Sequence, residues 1–293
     1  MKPPQIYKTA TAFRRAIEDR FRNINHKDNT PLDRLRRWVA FDRFLARLFA
    51  SPDSQWVLKG GYALELRFQS LARATRDIDF VLRKIKEPTK EKIHEVLVEE
   101  CRKDLNDWFT FEIGAPTMDL EGPVYGGWRY PVEVLLDDRT FSQFHADIVI
   151  ADILIAKPEK QRGFSLLEFA GIPPVDVFIY PREQHFAEKI HAYTVPRGTR
   201  INMRTRDLID LVMLIEQGLP DREAVRKALE LTFRHREDHA VPFRLSPPPP
   251  IWKETYQKMA TECEVSKKTM DDAFNYVVEY WNALFPESNR AKT

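Results

Sequence analysis

The chain has 293 residues, 43% of them apolar and 31% charged, with a net charge of +2. That length suits one large domain or two modest ones, and the apolar content is ample for a core. Its two cysteines, Cys101 and Cys263, are far apart and suggest neither a disulfide framework nor a zinc site; no apolar run reaches the length of a membrane span.

The polar start MKPPQIYKTA is not a signal peptide, so a soluble cytoplasmic protein is expected. Residues 1–50 hold 12 Lys and Arg against 5 Asp and Glu. That excess suits a nucleic-acid footprint and a solvated helix face equally well. Thr9 or Thr11 is placed to cap a helix running to about residue 25, with Phe13, Ile17 and Phe21 recurring every four residues. Pro31 opens a second helix to about residue 50. Leu35, Val39, Leu45 and Leu48 form its apolar side. Trp38, Phe41 and Phe44 add bulk that reads as core packing rather than base stacking.

Residues 56–82 read WVLKGGYALELRFQSLARATRDIDFVL. Residues 56–58 are a short apolar strand. Gly60 and Gly61 break it, since only glycine turns a backbone sharply with no Cβ in the way. A helix over 62–68 follows, then a strand over 77–82. In that strand Asp77 and Asp79 share one face, while Ile78, Phe80 and Leu82 take the other. Two adjacent carboxylates repel, and a chain keeps them most easily when a divalent cation sits between them.

A mixed-charge helix is predicted over 89–106 and strands over 109–113, 128–136 and 141–151. Pro131 lacks an N–H, which predicts an edge or a bulge there. Asp137 and Asp138 form a hairpin turn. Asp147, in FHADIVIAD, is a carboxylate inside an apolar strand; Asp152 is a nearby rival on the opposite face. This order of elements predicts an α+β chain with a mixed sheet. Residues 158–175 read as irregular.

Helices are predicted over 183–193, 204–217, 222–234, 252–261 and 267–284, with SPPPP at 246–250 as a stiff connector and a fraying tail after Pro286. The helix at 183–193 carries Phe186, Ile190 and Tyr193 as its stripe, with Lys189 and His185 on the flank. The next has Leu208, Leu211, Val212 and Ile215 as its stripe, with Asp207 and Asp210 on one side. Each alone is an ordinary amphipathic helix with solvated charges.

Taken together, the glycine turn and the D-x-D strand resemble the motif of the polymerase-β-like nucleotidyltransferases. The run K-G-G-x-A-L, then Arg73, Thr75 and Asp77–Ile78–Asp79, resembles the AbiEii/AbiGii toxin family, MenT-type toxins included. The E-x-x-x-x-E-K-h-x-A segment around Lys189 and the R-D-L-x-D-L run of residues 206–211 resemble its second half, so the likeness covers about residues 56–214.

The resemblance implies a polymerase-β-like palm over residues 51–157, preceded by a helical segment (1–50) and followed by a mainly helical part (158–293) that completes the active site. It implies a magnesium-dependent toxin that moves a nucleoside monophosphate from a triphosphate, a pyrimidine one by the MenT likeness, to the 3′ end of tRNA. That step blocks aminoacylation and translation. A cognate antitoxin is implied as well. By position, Asp77, Asp79 and Asp147 hold two magnesium ions, and Gly60 and Gly61 approach the phosphates through backbone N–H groups. Lys59 and Arg67 or Arg73 add positive charge. Lys189 contacts the triphosphate, and Asp210 supports the site with Arg206 and Asp207 as neighbours. Two other readings are nucleotide transfer to a protein hydroxyl and a non-catalytic nucleotide-sensing module. The intact carboxylate trio speaks against the second.

Overall fold

The structure is a computed structural model, described over residues 6–83, 85, 88–120, 126–150 and 154–286. The expected strand end at Ala151, the rival carboxylate Asp152 and the tail beyond Pro286 lie outside the described residues. The chain divides into two compact units. Unit 1 comprises Met1–Leu66, Ala74–Asp152 and Lys160–Ile179; unit 2 comprises Arg67–Arg73, Ile153–Glu159 and Tyr180–Thr293.

Unit 1 opens with α1 (Ala10–Asp28) and α2 (Leu32–Leu48). The Thr9 hydroxyl accepts from the Ala12 N–H at 3.2 Å and caps α1, whereas Thr11 donates to Asp137 at 2.7 Å. Phe13, Ile17 and Phe21 are fully buried, as their four-residue spacing predicts. The aromatics of α2 are core. Phe41 packs edge-on against Tyr62 and Phe144, and Trp38 stacks on Phe164.

The chain continues through β1 (Trp56–Lys59), α3 (Gly60–Phe68), β2 (Asp77–Leu82), α4 (Lys90–Cys101) and β3 (Phe109–Ile113). Then come β4 (Met118–Asp119), β5 (Gly127–Leu136), β6 (Arg139–Ile150), β7 (Glu159–Arg162) and β8 (Asp176–Ile179). Among the described residues these eight strands form one sheet in the order β3-β5-β6-β2-β1-β8-β7, with β4 beside β5. The pairs β2·β6 and β1·β8 are parallel, and β1·β2, β3·β5 and β5·β6 are antiparallel. The mixed sheet of an α+β chain is what the element order predicts.

Three local expectations change. Pro131 is on neither an edge strand nor a bulge: it pairs with His145 inside the sheet, and the irregularity falls between Val134 and Leu135. Its carbonyl accepts from Gly114 at 2.9 Å, just past the end of β3. The missing N–H faces Gly114 as well, so the proline removes one return bond, at the point where β3 has already ended. Residues 158–175 are not wholly irregular, since β7 lies there. With the sequence EKQR it has no apolar alternation to read. The helix expected to reach residue 106 stops at Cys101.

The basic start is tied into its own unit. Arg14 donates to the carbonyls of Leu136, Arg139 and Thr140 at 2.7–3.1 Å. Arg36 pairs with Glu18 and Asp33, Arg37 donates to the Thr75 carbonyl, and Arg47 is buried against Asp107. These arginines are tied to partners within the unit, and Arg47 is buried rather than solvated.

Unit 2 holds α5 (Arg182–Thr194), α6 (Thr205–Glu216), α7 (Arg222–Arg236), α8 (Lys253–Glu262) and α9 (Met270–Leu284), all predicted from periodicity. Asp221 caps α7 and Thr269 caps α9. The core includes Phe186, Ile190, Leu211, Val212, Phe233 and Trp281. No helix among the described residues is long and apolar enough to cross a membrane.

Candidate active site

The register of unit 1 sets four charged residues in one cross-strand row. On β1 Lys59 pairs with Asp79 of β2, Asp79 pairs with Asp147 of β6, and Asp147 pairs with Arg129 of β5. Residues in register carry their side chains on one face of the sheet. The row therefore reads plus, minus, minus, plus. Asp77 lies two residues before Asp79 on that face and pairs with His145. On the other face Ile78, Phe80, Ala146 and Ile148 are fully buried. Alternation along β2 and β6 thus puts carboxylates on one side and core on the other.

Arg129 grips both oxygens of Asp147 at 2.7 Å through Nε and Nη2. Its Nη2 also lies 3.6 Å from Asp77, and His145 Nδ1 lies 3.4 Å from the same carboxylate. The bond to Asp147 raises the already high pKa of the guanidinium, which stays charged. Neither Arg129 nor His145 was expected from the sequence.

Gly60 opens α3 with φ +66°, and a Cβ there would sit 2.0 Å from Asp79 Oδ2. The helix start and the carboxylate approach so closely that no side chain fits between them. Glu65 of α3, 1% exposed, anchors the helix. It accepts from Arg34 at 2.7 and 3.0 Å, from Trp38 Nε1 at 2.9 Å and from the Thr75 N–H at 3.4 Å. Burial pushes the Glu65 carboxyl up, and Arg34 opposes that shift. The Thr75 hydroxyl donates to the Asp77 carbonyl at 3.1 Å, tying the loop to the strand. Thr75 of the motif is thus a brace, and Glu65 is a brace the pattern did not single out.

The other expected site residues lie in unit 2. Lys189 is 9% exposed, not solvated on a flank. Its ammonium lies 2.6 Å from Asp210 and 3.1 Å from Asp207. Arg73 takes both oxygens of Asp210 at 3.0 Å. Burial alone would raise the Asp210 pKa; Arg73 and Lys189 outweigh it and hold the carboxyl below its usual value. Burial likewise opposes the Lys189 charge, and Asp210 and Asp207 outweigh it. The result is a neutral set of two cations and two anions. Arg67 donates to the Tyr180 carbonyl at 2.9 Å and pairs with Glu159 at 3.0 Å, while Arg206 is exposed.

Among the described residues no three acidic, histidine or cysteine side chains are gathered as a ready cage for an ion. The donors are nonetheless the right kind. Asp77, Asp79 and Asp147 offer hard carboxylate oxygens from neighbouring strands on one face, and Gly60 lets α3 start directly beside the Asp79 oxygen. The set fits a divalent cation in chemistry, with Arg129 as its countercharge.

Comparison with known proteins gives the family of the chain and the likeness of its fold. A family model described as nucleotidyl transferase AbiEii toxin, type IV toxin–antitoxin system, matches residues 43–280. Among solved structures, MenT4, a nucleotidyltransferase toxin from Mycobacterium tuberculosis H37Rv, is similar in fold with a TM-score of 0.56 at 17% identity, over 89% of this chain and 91% of its own. JHP933 from Helicobacter pylori (TM-score 0.39, 18% identity, 85% of this chain and 97% of its own) is a looser likeness. So is an antigenic nucleotidyltransferase-like protein from Paracoccidioides brasiliensis (TM-score 0.36, 16% identity, 69% and 89%). No match was found among curated proteins. With most of its length matched by the family model, the chain belongs to the AbiEii family of nucleotidyltransferase toxins, an enzyme that acts on a nucleoside triphosphate as one half of a toxin–antitoxin pair.

Proposed function

We propose that this enzyme moves a nucleoside monophosphate from a nucleoside triphosphate to the 3′ end of tRNA in the cytoplasm, and so blocks aminoacylation and translation. The observation that carries the reading is the row Lys59–Asp79–Asp147–Arg129 beside the Gly60 turn. Asp77, Asp79 and Asp147 would hold divalent ions, magnesium in this reading. Such ions, when bound, stabilise the attacking and leaving oxygens of an in-line displacement.

The chain's own residues do the rest. The backbone N–H groups at the start of α3, from Gly60 and Gly61, face no intrahelical partner and suit phosphate oxygens. Lys59, in register with Asp79, adds a positive charge on the same face. By the family pattern Lys189 serves the triphosphate. Asp207 and Asp210 fix its ammonium, and Arg73 fixes Asp210. A lysine suits the first task as a compact point charge. The antitoxin follows from the family, and a pyrimidine donor from the MenT likeness.

Support for an RNA acceptor comes from residues 197–206. Arg197, Arg200, Arg204 and Arg206 fall within ten residues that hold no acid, and the last three are exposed. Ile201 and Met203 beside them are 59% and 71% exposed. Cations track a phosphate backbone. Replacing Arg200, Arg204 and Arg206 together with Gln is expected to weaken tRNA binding and to flatten its salt dependence by about two in log–log slope. An unchanged slope across a salt series would remove this segment from the RNA interface.

The test of the acceptor is an incubation with magnesium, each of the four labelled triphosphates in turn, total tRNA and cell protein. Label at the tRNA 3′ end is the expected result, strongest with a pyrimidine nucleotide. Label on protein instead would establish transfer to a protein hydroxyl, and no label at all would leave a nucleotide-sensing role.

A further inference from the structure

Arg129 poses a question that the reaction leaves open. Both oxygens of Asp147 accept from this one guanidinium, and the same group reaches toward Asp77. The oxygens keep lone pairs for an ion, yet an ion drawn to them would stand against the charge of the guanidinium and draw on the same two oxygens. The cations facing the carboxylates are Arg129 from β5 and Lys59 from β1, with His145 of β6 beside Asp77. Arg129 closes on two carboxylates, Asp147 and Asp77.

We infer that Arg129 is an internal counter-cation that competes with the divalent metal for Asp147 and thereby sets the metal affinity of the site. The inference rests on the metal-dependent reading of that site. Without metal, the guanidinium offsets part of the charge of Asp147 and Asp77 and lowers the repulsion between carboxylates on adjacent strands. An ion bound there would take over part of the countercharge that the two-pronged, charge-assisted hydrogen bond supplies, and would repel the guanidinium. The Arg129 side chain is 27% exposed, so the released guanidinium has a route into solvent. Competition of this kind makes the site respond to metal concentration: it forms only where the metal outcompetes the arginine. Arg129 is thus a positioning residue that acts on the reaction through Asp147.

The test is a titration of metal-stripped protein with Mn²⁺, followed by electron paramagnetic resonance of the free ion and by melting temperature. Wild type, Arg129→Gln, Arg129→Lys and, as a control, Asp147→Asn are compared. Arg129→Gln is expected to bind Mn²⁺ about tenfold more tightly, the scale of one hydrogen bond to a charged group. Without metal it should melt several degrees lower than wild type, and saturating Mn²⁺ should narrow that gap. Arg129→Lys keeps the charge but loses the two-pronged geometry, so its affinity should fall between the two; it also serves should the Gln variant fail to fold. Equal or weaker Mn²⁺ binding by the folded Arg129 variants would overturn the competition and make the arginine a plain structural pair. If wild type binds no more Mn²⁺ than Asp147→Asn, the metal reading of the site falls, and the competition falls with it.

Discussion

Gly60→Ala is expected to abolish nucleotidyl transfer while leaving a folded protein of reduced stability. Two costs act at this position. The backbone φ of +66° lies in the left-handed region, which costs an L-residue about 1–2 kcal/mol. The new Cβ would also stand 2.0 Å from Asp79 Oδ2, 2.6 Å from its Cγ and 2.9 Å from its Cβ. Nearly the whole aspartate side chain is in the way, so it must swing off the row it shares with Asp147. A misplacement of about 1 Å at a reacting centre costs about a hundredfold in rate. Gly218 makes a control for strain alone, because its φ is +87° and a Cβ there meets nothing within 4 Å. Both variants should lose stability by a similar backbone term in thermal unfolding. Only Gly60→Ala should lose transfer in the labelled-nucleotide assay. A Gly60→Ala enzyme at the wild-type rate would mean that Asp79 need not stay where the glycine allows it to be.

Lys189→Ala has the largest expected effect on stability. Read from the helix pattern, Lys189 is a solvated flank charge whose removal is nearly neutral. In the structure its ammonium is buried between Asp207 and Asp210. Removing it leaves two buried carboxylates with Arg73 as the remaining strong counterion of Asp210. Breaking a buried pair from one side costs about 3–5 kcal/mol, since the partner charge stays behind. The melting temperature should therefore fall by roughly 10 °C. Lys189→Met combined with Asp207→Asn removes one cation and one anion and should recover much of that loss, which a double-mutant cycle would read as strong coupling. A melting temperature unchanged by Lys189→Ala would contradict the buried ion cluster. Loss of transfer in Lys189→Ala therefore speaks to chemistry only under conditions where the variant is shown to be folded.

What the sequence made legible, and what it hid, follows from the range of each signal. Local signals carried through. Thr9 caps α1, and Asp137 and Asp138 take the positive φ values of a hairpin turn. The parity of Asp77 and Asp79 against Ile78 and Phe80 places the carboxylates on a face away from the core. Each of these depends on a few neighbouring residues.

Arg129 was hidden by register. The hairpin pairs Leu136 with Arg139 and Leu135 with Thr140. Continued without a break, that register would set Asp147 opposite Trp128, on the wrong parity. The irregularity between Val134 and Leu135 shifts the ladder by one residue and brings Arg129 opposite Asp147. Nothing in the local sequence announces that shift.

Lys189 was hidden by neutralisation. A helix with charges on its flank normally exposes them, and α6 reads the same way. In unit 2 both Asp207 and Asp210 are buried, because Lys189 and Arg73 balance them over a span of 137 residues. The four short polar residues of β7 carry no periodicity at all.

The central claim is that Asp79, set in register with Asp147 and against Gly60, belongs to the machinery of nucleotidyl transfer. The most direct measurement compares wild type with Asp79→Ala, both shown to be folded, in the labelled-triphosphate assay with magnesium and total tRNA. Wild type should label the tRNA 3′ end, and Asp79→Ala should give no label above background, because a lost carboxylate leaves the ions unplaced. Label transferred by Asp79→Ala at the wild-type rate would contradict the account.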